Sequence, residues 1–471
     1  EMLRSLVGSE MCIRDRFQKT LSLSHTFIYT IKTRLFMKTR LIFLLPLLFF
    51  LISCGDSDSE TAKLELSQST FDDVSANGET LKIDVTCNSS WSVSSNKQWC
   101  VPNKKNGEND GELTLSITAS LDSNPRSATV TIISNKVTKT IQITQEASSS
   151  TAEEHHYNLP IIFHVLYKDQ NDPLQYVSSK RLSSILDIVN NLYKNTVNSV
   201  DMNLTFSLAT VAPSGKQLAA PGIEYVEWPE TYPIDCEKFM QDNSGKYVDY
   251  LWDPNLYINV MIYNFESDPH SNSTILGISH LPFSTKGSTF LEGLNEINYS
   301  YLELKNLKFP YCTSINSLFI NSQSTETIHN TADVTVTIAH ELGHYLGLHH
   351  AFAEDENGNL LNDCQDTDYC RDTYPYNKVA YDIWVNEQID NGEKYLPILA
   401  KRINCETETE FTSTNIMDYA FTYANEFTPD QRTRIRHVLM YSPLIPGPKK
   451  GQSGTRTVIE GPLDLPIRTA K

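Results

Sequence analysis

The sequence predicts two domains in series, an all-β sandwich followed by a mixed α+β unit. Between residues 63 and 147 apolar residues recur at every second position, in short runs parted by turn signals. That is the pattern of half-buried strands. From Leu159 onward, strand-like runs alternate with stretches whose apolar residues recur at three and four positions, so strands and helices interleave. A chain of 471 residues has room for both, since one domain usually holds about 100–200.

Residues 1–36 are expected to be a non-native leader. Their Ser9–Arg16 string resembles translated sequencing-adapter read-through. From Met37, Lys38 and Arg40 make a basic start and Leu41–Ile52 an apolar run. The run is shorter than the roughly 20 residues a spanning helix needs, so 37–54 reads as a signal peptide. It ends Leu51-Ile52-Ser53-Cys54, which resembles a bacterial lipobox and makes Cys54 the expected lipidation site. Residues 55–62 are polar and acidic and read as a tether. These features predict an exported lipoprotein, held to the outer membrane by a lipid anchor and exposed at the cell surface. The formal net charge is −18. The first 54 residues are net basic, so the body of the chain is more negative than the whole. That argues against nucleic acid as a partner.

In the first domain, 63–147, Leu81, Ile83 and Val85 share one strand face, as do Leu113, Leu115 and Ile117. Ala128, Val130 and Ile132, then Ile141 and Ile143, continue the pattern. Asn77-Gly78, Asn106-Gly107, Asp110-Gly111 and Asn124-Pro125 supply the turns. Trp91, Trp99, Asn124, Arg126 and the closing Gln142-Ile143-Thr144-Gln145 resemble the BACON domain of Bacteroidetes surface proteins. The resemblance implies glycan contact. The alternation of Trp91 with Val93 points instead to a core position and to a stalk-like role for the domain. Residues 148–158 form the linker.

In the second domain, 159–446, Pro160–Tyr167 reads as a buried strand and Ser178–Asn195 as an amphipathic helix. Met202–Leu208, Tyr257–Tyr263 and Ile275–Leu281 read as further strands, the last as a sheet edge. Asp355, Asn357, Asn359, Asp363, Asp366 and Asp368 crowd one loop, a density of oxygen donors suited to structural Ca²⁺ or simply to water. Thr428, Pro429 and Gln431 carry the signature of a helix start with a capping box. Residues 447–471 are expected to be a flexible tail. Cys87 and Cys100 share the sandwich and could pair. Cys364 and Cys370 flank the acidic loop, and a bridge from one of them to Cys405 would stiffen its neighbourhood.

Residues 340–350 read His-Glu-Leu-Gly-His-Tyr-Leu-Gly-Leu-His-His. On a helix with about 3.6 residues per turn, His340 and His344 stack on one face and can grip one metal ion. Gly347 can take the left-handed backbone that turns the chain and brings His350 in as third ligand. His349 is left beside the ligands or facing solvent. Three neutral imidazoles leave one position for water, the pattern of catalytic zinc, and zinc brings that water towards pKa of about 7. Glu341, one position along, can take its proton.

The string resembles the metzincin metallopeptidases. With Asn415-Ile416-Met417-Asp418-Tyr419 and Phe427–Gln431, the likeness is to their pappalysin-like (cytophagalysin) members and spans most of 159–445. It implies zinc on His340, His344 and His350, Met417 as the floor of the site, Tyr419 near the metal to stabilise an oxyanion, and Ile275–Leu281 as the antiparallel edge strand that receives the peptide. Family members often carry a cysteine soon after that tyrosine. Residues 420–425 have none, so the family's disulfide scheme does not transfer whole. The absence of an acid at Phe421, Thr422 and Tyr423 suggests an apolar or medium-sized P1′ residue. The expected function is zinc-dependent endopeptidase acting on peptide or protein substrates. The alternative is a glycan- or protein-binding surface lipoprotein with an inactive or latent peptidase.

Overall fold

A computed structural model describes residues 63–149, 155–194, 199–267, 274–325, 328–451 and 459–471. The expected leader (1–36), signal peptide (37–54) with Cys54, and tether (55–62) lie outside the described residues.

The first domain is a sandwich of two sheets. One holds Leu64–Leu66, Glu79–Cys87, Gly111–Ile117 and Cys100–Pro102 in that spatial order. The other holds Thr70–Val74, Val137–Gln145, Arg126–Ser134, Ser90–Ser95 and Asn106–Glu108. The period-two residues face inward: Ile83, Leu113, Leu115, Val130, Ile132 and Ile141 are fully buried. Trp91 is 3% exposed and Trp99 2%, so neither offers a platform for a sugar ring. The space a Cβ on Gly107 would need is filled by the Trp91 indole, 2.2 Å away. Arg126 stacks 4.5 Å over Trp99 and donates to Gln145, Thr118 and Ala119. The motif residues therefore hold the sandwich together.

Cys87 and Cys100 are both free, which corrects the expected pairing. Their strands flank Gly111–Ile117 on opposite sides, about 9–10 Å apart at two strand spacings. They also sit at opposite ends of it: Cys100 lies across from Ile117, while Val85 faces Gly111. Disulfides need Cα atoms within about 7 Å.

The second domain is built on a seven-stranded sheet. Its strands are β1 (Tyr157–Tyr167), β2 (Leu204–Leu208), β3 (Ile223–Glu227), β4 (Ile258–Tyr263), β5 (Gly277–His280), β6 (Thr313–Asn316) and β7 (Thr469–Ala470). The order is β2-β1-β4-β6-β5-β7, with β3 extending the outer edge of β1 beyond β2. β1, β2, β3, β4 and β6 run parallel, and β5 and β7 are antiparallel to their neighbours. β4 is buried on both faces, as a central parallel strand must be. The principal helices are α1 (Ser179–Leu192), α2 (Val334–Tyr345), α3 (Lys378–Asp390) and α4 (Pro429–Tyr441). α1 buries Leu182, Ile185, Leu186 and Val189. Just past its end, the Tyr193 hydroxyl donates to the Ala339 carbonyl of α2 at 2.9 Å. That bond ties the two helices at full burial.

Two expectations change at the sheet edge. β5 is not open along its whole length, because β7 covers its outer side. Of the tail expected to be flexible from 447, residues 459–471 instead return to the core. Leu465 is buried, and Leu463 and Ile467 pack on the same cluster. Apolar residues at 459, 463, 465 and 467 sit among Gly, Pro and charges, and that composition masked their pattern.

Cys364 and Cys405 form a disulfide closing a separation of 41 residues. In mass-spectrometric mapping without reductant, Cys87, Cys100, Cys236, Cys312 and Cys370 should alkylate after denaturation, whereas Cys364 and Cys405 should not. Cys405→Ser should lower unfolding stability by roughly 3–4 kcal/mol, the entropy of a loop this long. An unchanged denaturation midpoint would contradict the bridge.

Candidate metal centre

α2 begins where Asp333 caps it, its carboxylate accepting from Thr335 N–H at 2.9 Å. It ends just before Gly347, whose φ of +93° turns the chain back. A Cβ there would meet Val438 of α4 at 2.6 Å, so both conformation and space demand glycine. The turn delivers His350 to the face carrying His340 and His344. The three Nε2 atoms lie 3.0, 3.1 and 3.2 Å from one another.

Each ring has an oxygen atom behind it. His340 Nδ1 donates to Ile416 O and His344 Nδ1 to Leu348 O, both at 2.8 Å. Glu354 Oε1 stands 2.8 Å from His350 Nδ1. With Nδ1 carrying the proton, all three Nε2 lone pairs point at one spot. Lone pairs this close repel unless a cation lies between them. Tetrahedral zinc with nitrogens at 2.0–2.1 Å would hold them roughly 3.3 Å apart, so the donor set fits that ion. Among the described residues this is the one group of three ligand side chains close enough to share a metal. The acidic loop shows no such convergence: Asp355 accepts from Asn357 and Asn359 of its own turn.

Burial, and after it the neighbouring His350, holds His340 down at about 3. Burial, then His350 and His340, keep His344 well below its usual range. Both imidazoles are therefore neutral and fit to ligate. His349 is not solvent-facing. It is 9% exposed and lies edge-on to Tyr369, ring centres 5.4 Å apart. His350 stacks on Phe352 at 4.8 Å.

Met417 is fully buried below α2. A Cβ on Gly343 would stand 2.6 Å from its sulfur, so the helix passes directly over it between His340 and His344. Tyr419 lies with its ring centre 4.5 Å from His350 and 5.7 Å from His340. Between them, Asp418 pins the turn. It pairs with buried Arg402 at 3.3 Å, accepts from Tyr376 at 2.5 Å, and accepts from Ser413.

Glu341 is 2% exposed, and burial pushes its carboxyl well above the usual carboxylate range. It packs against β5. A Cβ on Gly277 would lie 2.5–2.8 Å from its Cγ, Cδ and Oε1. The sequence marked the strand but not this glycine, and it missed Glu354 and Arg402. A lone glycine in a short strand and an acid four residues past a ligand carry no motif. They become legible only when the fold sets them against Glu341 and His350.

A profile of the BACON family matches residues 89–146. The peptidase family described as Pregnancy-associated plasma protein-A matches residues 313–440. No curated protein matches the chain. Among solved structures, mature mirolysin of Tannerella forsythia in complex with a cleaved peptide is 19% identical, over 60% of this chain and 91% of that one, with a TM-score of 0.41. A promirolysin mutant of the same organism is 17% identical, over 62% of this chain and 83% of its own, with a TM-score of 0.40.

The buried histidines also set a pH dependence. His280 is fully buried and held down at about 4 by burial, and His340 at about 3. In the unfolded chain both titrate near 6.5. Folded values below unfolded ones mean that the unfolded state binds more protons as pH falls. The chelator-stripped protein should lose thermal stability from about pH 6.5 downward through pH 4, and a melting temperature flat across that range would contradict the assignment. Residues 313–440 match a peptidase family, three imidazoles able to share one metal ion converge within that match, and the chain is a metalloendopeptidase.

Proposed function

We propose that the chain hydrolyses peptide bonds of extracellular proteins with one zinc ion held by His340, His344 and His350, and with Glu341 moving the proton. The observation that carries this is the convergence of three backed imidazoles beside a buried, raised carboxyl. When bound, zinc supplies Lewis acidity, acidifying water and polarising a carbonyl.

The chain's own residues do the rest. Glu341 accepts the proton of the attacking water and returns it to the departing amine. A buried carboxyl next in the chain to His340 can serve both halves of that task. The Tyr419 phenol, beside His340 and His350, donates to the carbonyl oxygen as negative charge builds on it. Met417 and the pinned Asp418 keep the floor of the site rigid. The backbone of β5 at Gly277, alongside Glu341, offers hydrogen bonds to an extended substrate. Phe421 and Thr422 are buried and Tyr423 is exposed; with no acid among them, an apolar or medium-sized P1′ residue is the proposed preference.

The proposed setting is the outer membrane, with the protein held by a lipid on Cys54 and the sandwich as a spacer. The apolar run before Cys54 supports the anchor, and the buried Trp91 and Trp99 favour a spacer over a glycan binder.

Glu341→Gln should reduce kcat for casein-derived peptides by about 10²–10⁴-fold, and Tyr419→Phe by up to about 10²-fold. Both variants should keep their metal and their melting temperature. Full activity in Glu341→Gln would overturn the assignment of the proton carrier.

A further inference from the structure

β7 occupies the outer edge of β5, the edge at which the peptidase reading above seats a peptide. Ser279 of β5 faces Ala470 and His280 faces Thr469, antiparallel. Leu281 N–H donates to Arg468 O at 3.0 Å. Each step along this register moves β7 one residue closer to Gly277, since Thr469 faces His280 and Ala470 faces Ser279. Gly277 is the residue against Glu341. At about 3.4 Å per residue, Ala470 is within roughly 7 Å of the level of Gly277. The segment is anchored at several points. Asn306 donates to the Ile459 and Gly461 carbonyls, Leu463 N–H donates to Asn306 O, and Leu465 is buried. Arg468 donates to Gly293 O at 2.6 Å. A Cβ on Gly293 would be 2.9 Å from His349 Nε2, so Arg468 sits beside the histidine run.

We infer that residues 465–471 are a resident strand which fills part of the peptide-binding edge and so sets which substrates the cleft accepts. The inference rests on the peptidase reading above. A peptide adding to β5 in the direction of β7 has its N-terminal side towards Ser279–Leu281. That stretch is already paired, so only Ile275–Gly277 remains free. The substrate class is then peptides with few residues N-terminal to the cleaved bond, because residues further out would have to displace a strand tethered in place. An internal competitor of this kind acts at high effective concentration, and it weakens long peptides selectively.

The test uses the Glu341→Ala chain, so that binding is read without turnover. The probe is a fluorescein-labelled peptide of residues 464–471. It should bind a form truncated after residue 458 at least tenfold more tightly than the full chain, measured by anisotropy. Because Leu465 is part of the core, truncation can cost folding. The full-length Ala470→Pro, Arg468→Ala double variant is the second form, since proline cannot donate to the ladder. It should likewise bind the probe more tightly. In the active protein the same changes should raise kcat/KM at least tenfold for a peptide extended by four residues on its N-terminal side, and leave the unextended peptide unchanged. Equal probe binding by all forms, or a gain confined to peptides extended on the C-terminal side, would overturn the inference. Absence of cleavage in the unaltered chain would instead count against the peptidase reading, whatever the probe does.

Discussion

Three lone pairs aimed at one point are the constraint on which the second domain depends. Imidazole offers two nitrogens, and which of them binds a metal is decided by what holds the other. Here the carbonyls of Ile416 and Leu348 hold the Nδ1 atoms of His340 and His344, and the carboxylate of Glu354 stands 2.8 Å from that of His350. Those groups come from three places: the turn before Met417, the turn after Gly347, and the loop beyond His350. The centre is therefore a statement about the whole second half of the chain. Deforming the Met417 turn would rotate His340, and deforming the Gly347 turn would remove His350.

The surrounding structure keeps those turns from moving. Asp418 gathers Arg402, Tyr376 and Ser413 in the interior. A buried ion pair of this kind is weak support for stability, but it fixes the path of the backbone on either side of Tyr419. Above the centre, α2 is held to α1 through Tyr193 and to the sheet through Gly277 against Glu341. Two glycines, Gly277 and Gly343, let a strand and a methionine approach the helix more closely than any side chain would permit.

Much of this was legible in the residues. The His340–His350 spacing, the left-handed Gly347 and the Thr428–Gln431 capping box each depend on contacts within a few residues, and each stands in the structure. The alternation of the sandwich also survived, because a one-residue slip would have turned its whole core outward. What failed was long-range. Cys87 and Cys100 looked close because they share a small domain, but a third strand lies between theirs. The tail looked unstructured because its partner, the outer side of β5, comes almost 200 residues earlier. Glu354 was passed over because acid residues are common on loops, and only the ring of His350 gives this one a task.

The most direct measurement is metal stoichiometry by inductively coupled plasma mass spectrometry on protein purified with zinc and then dialysed. The account predicts about one zinc per chain, lost in each of His340→Ala, His344→Ala and His350→Ala and kept in His349→Ala. Retention of the metal by any of the first three variants at full stoichiometry, or its loss from His349→Ala alone, would contradict it.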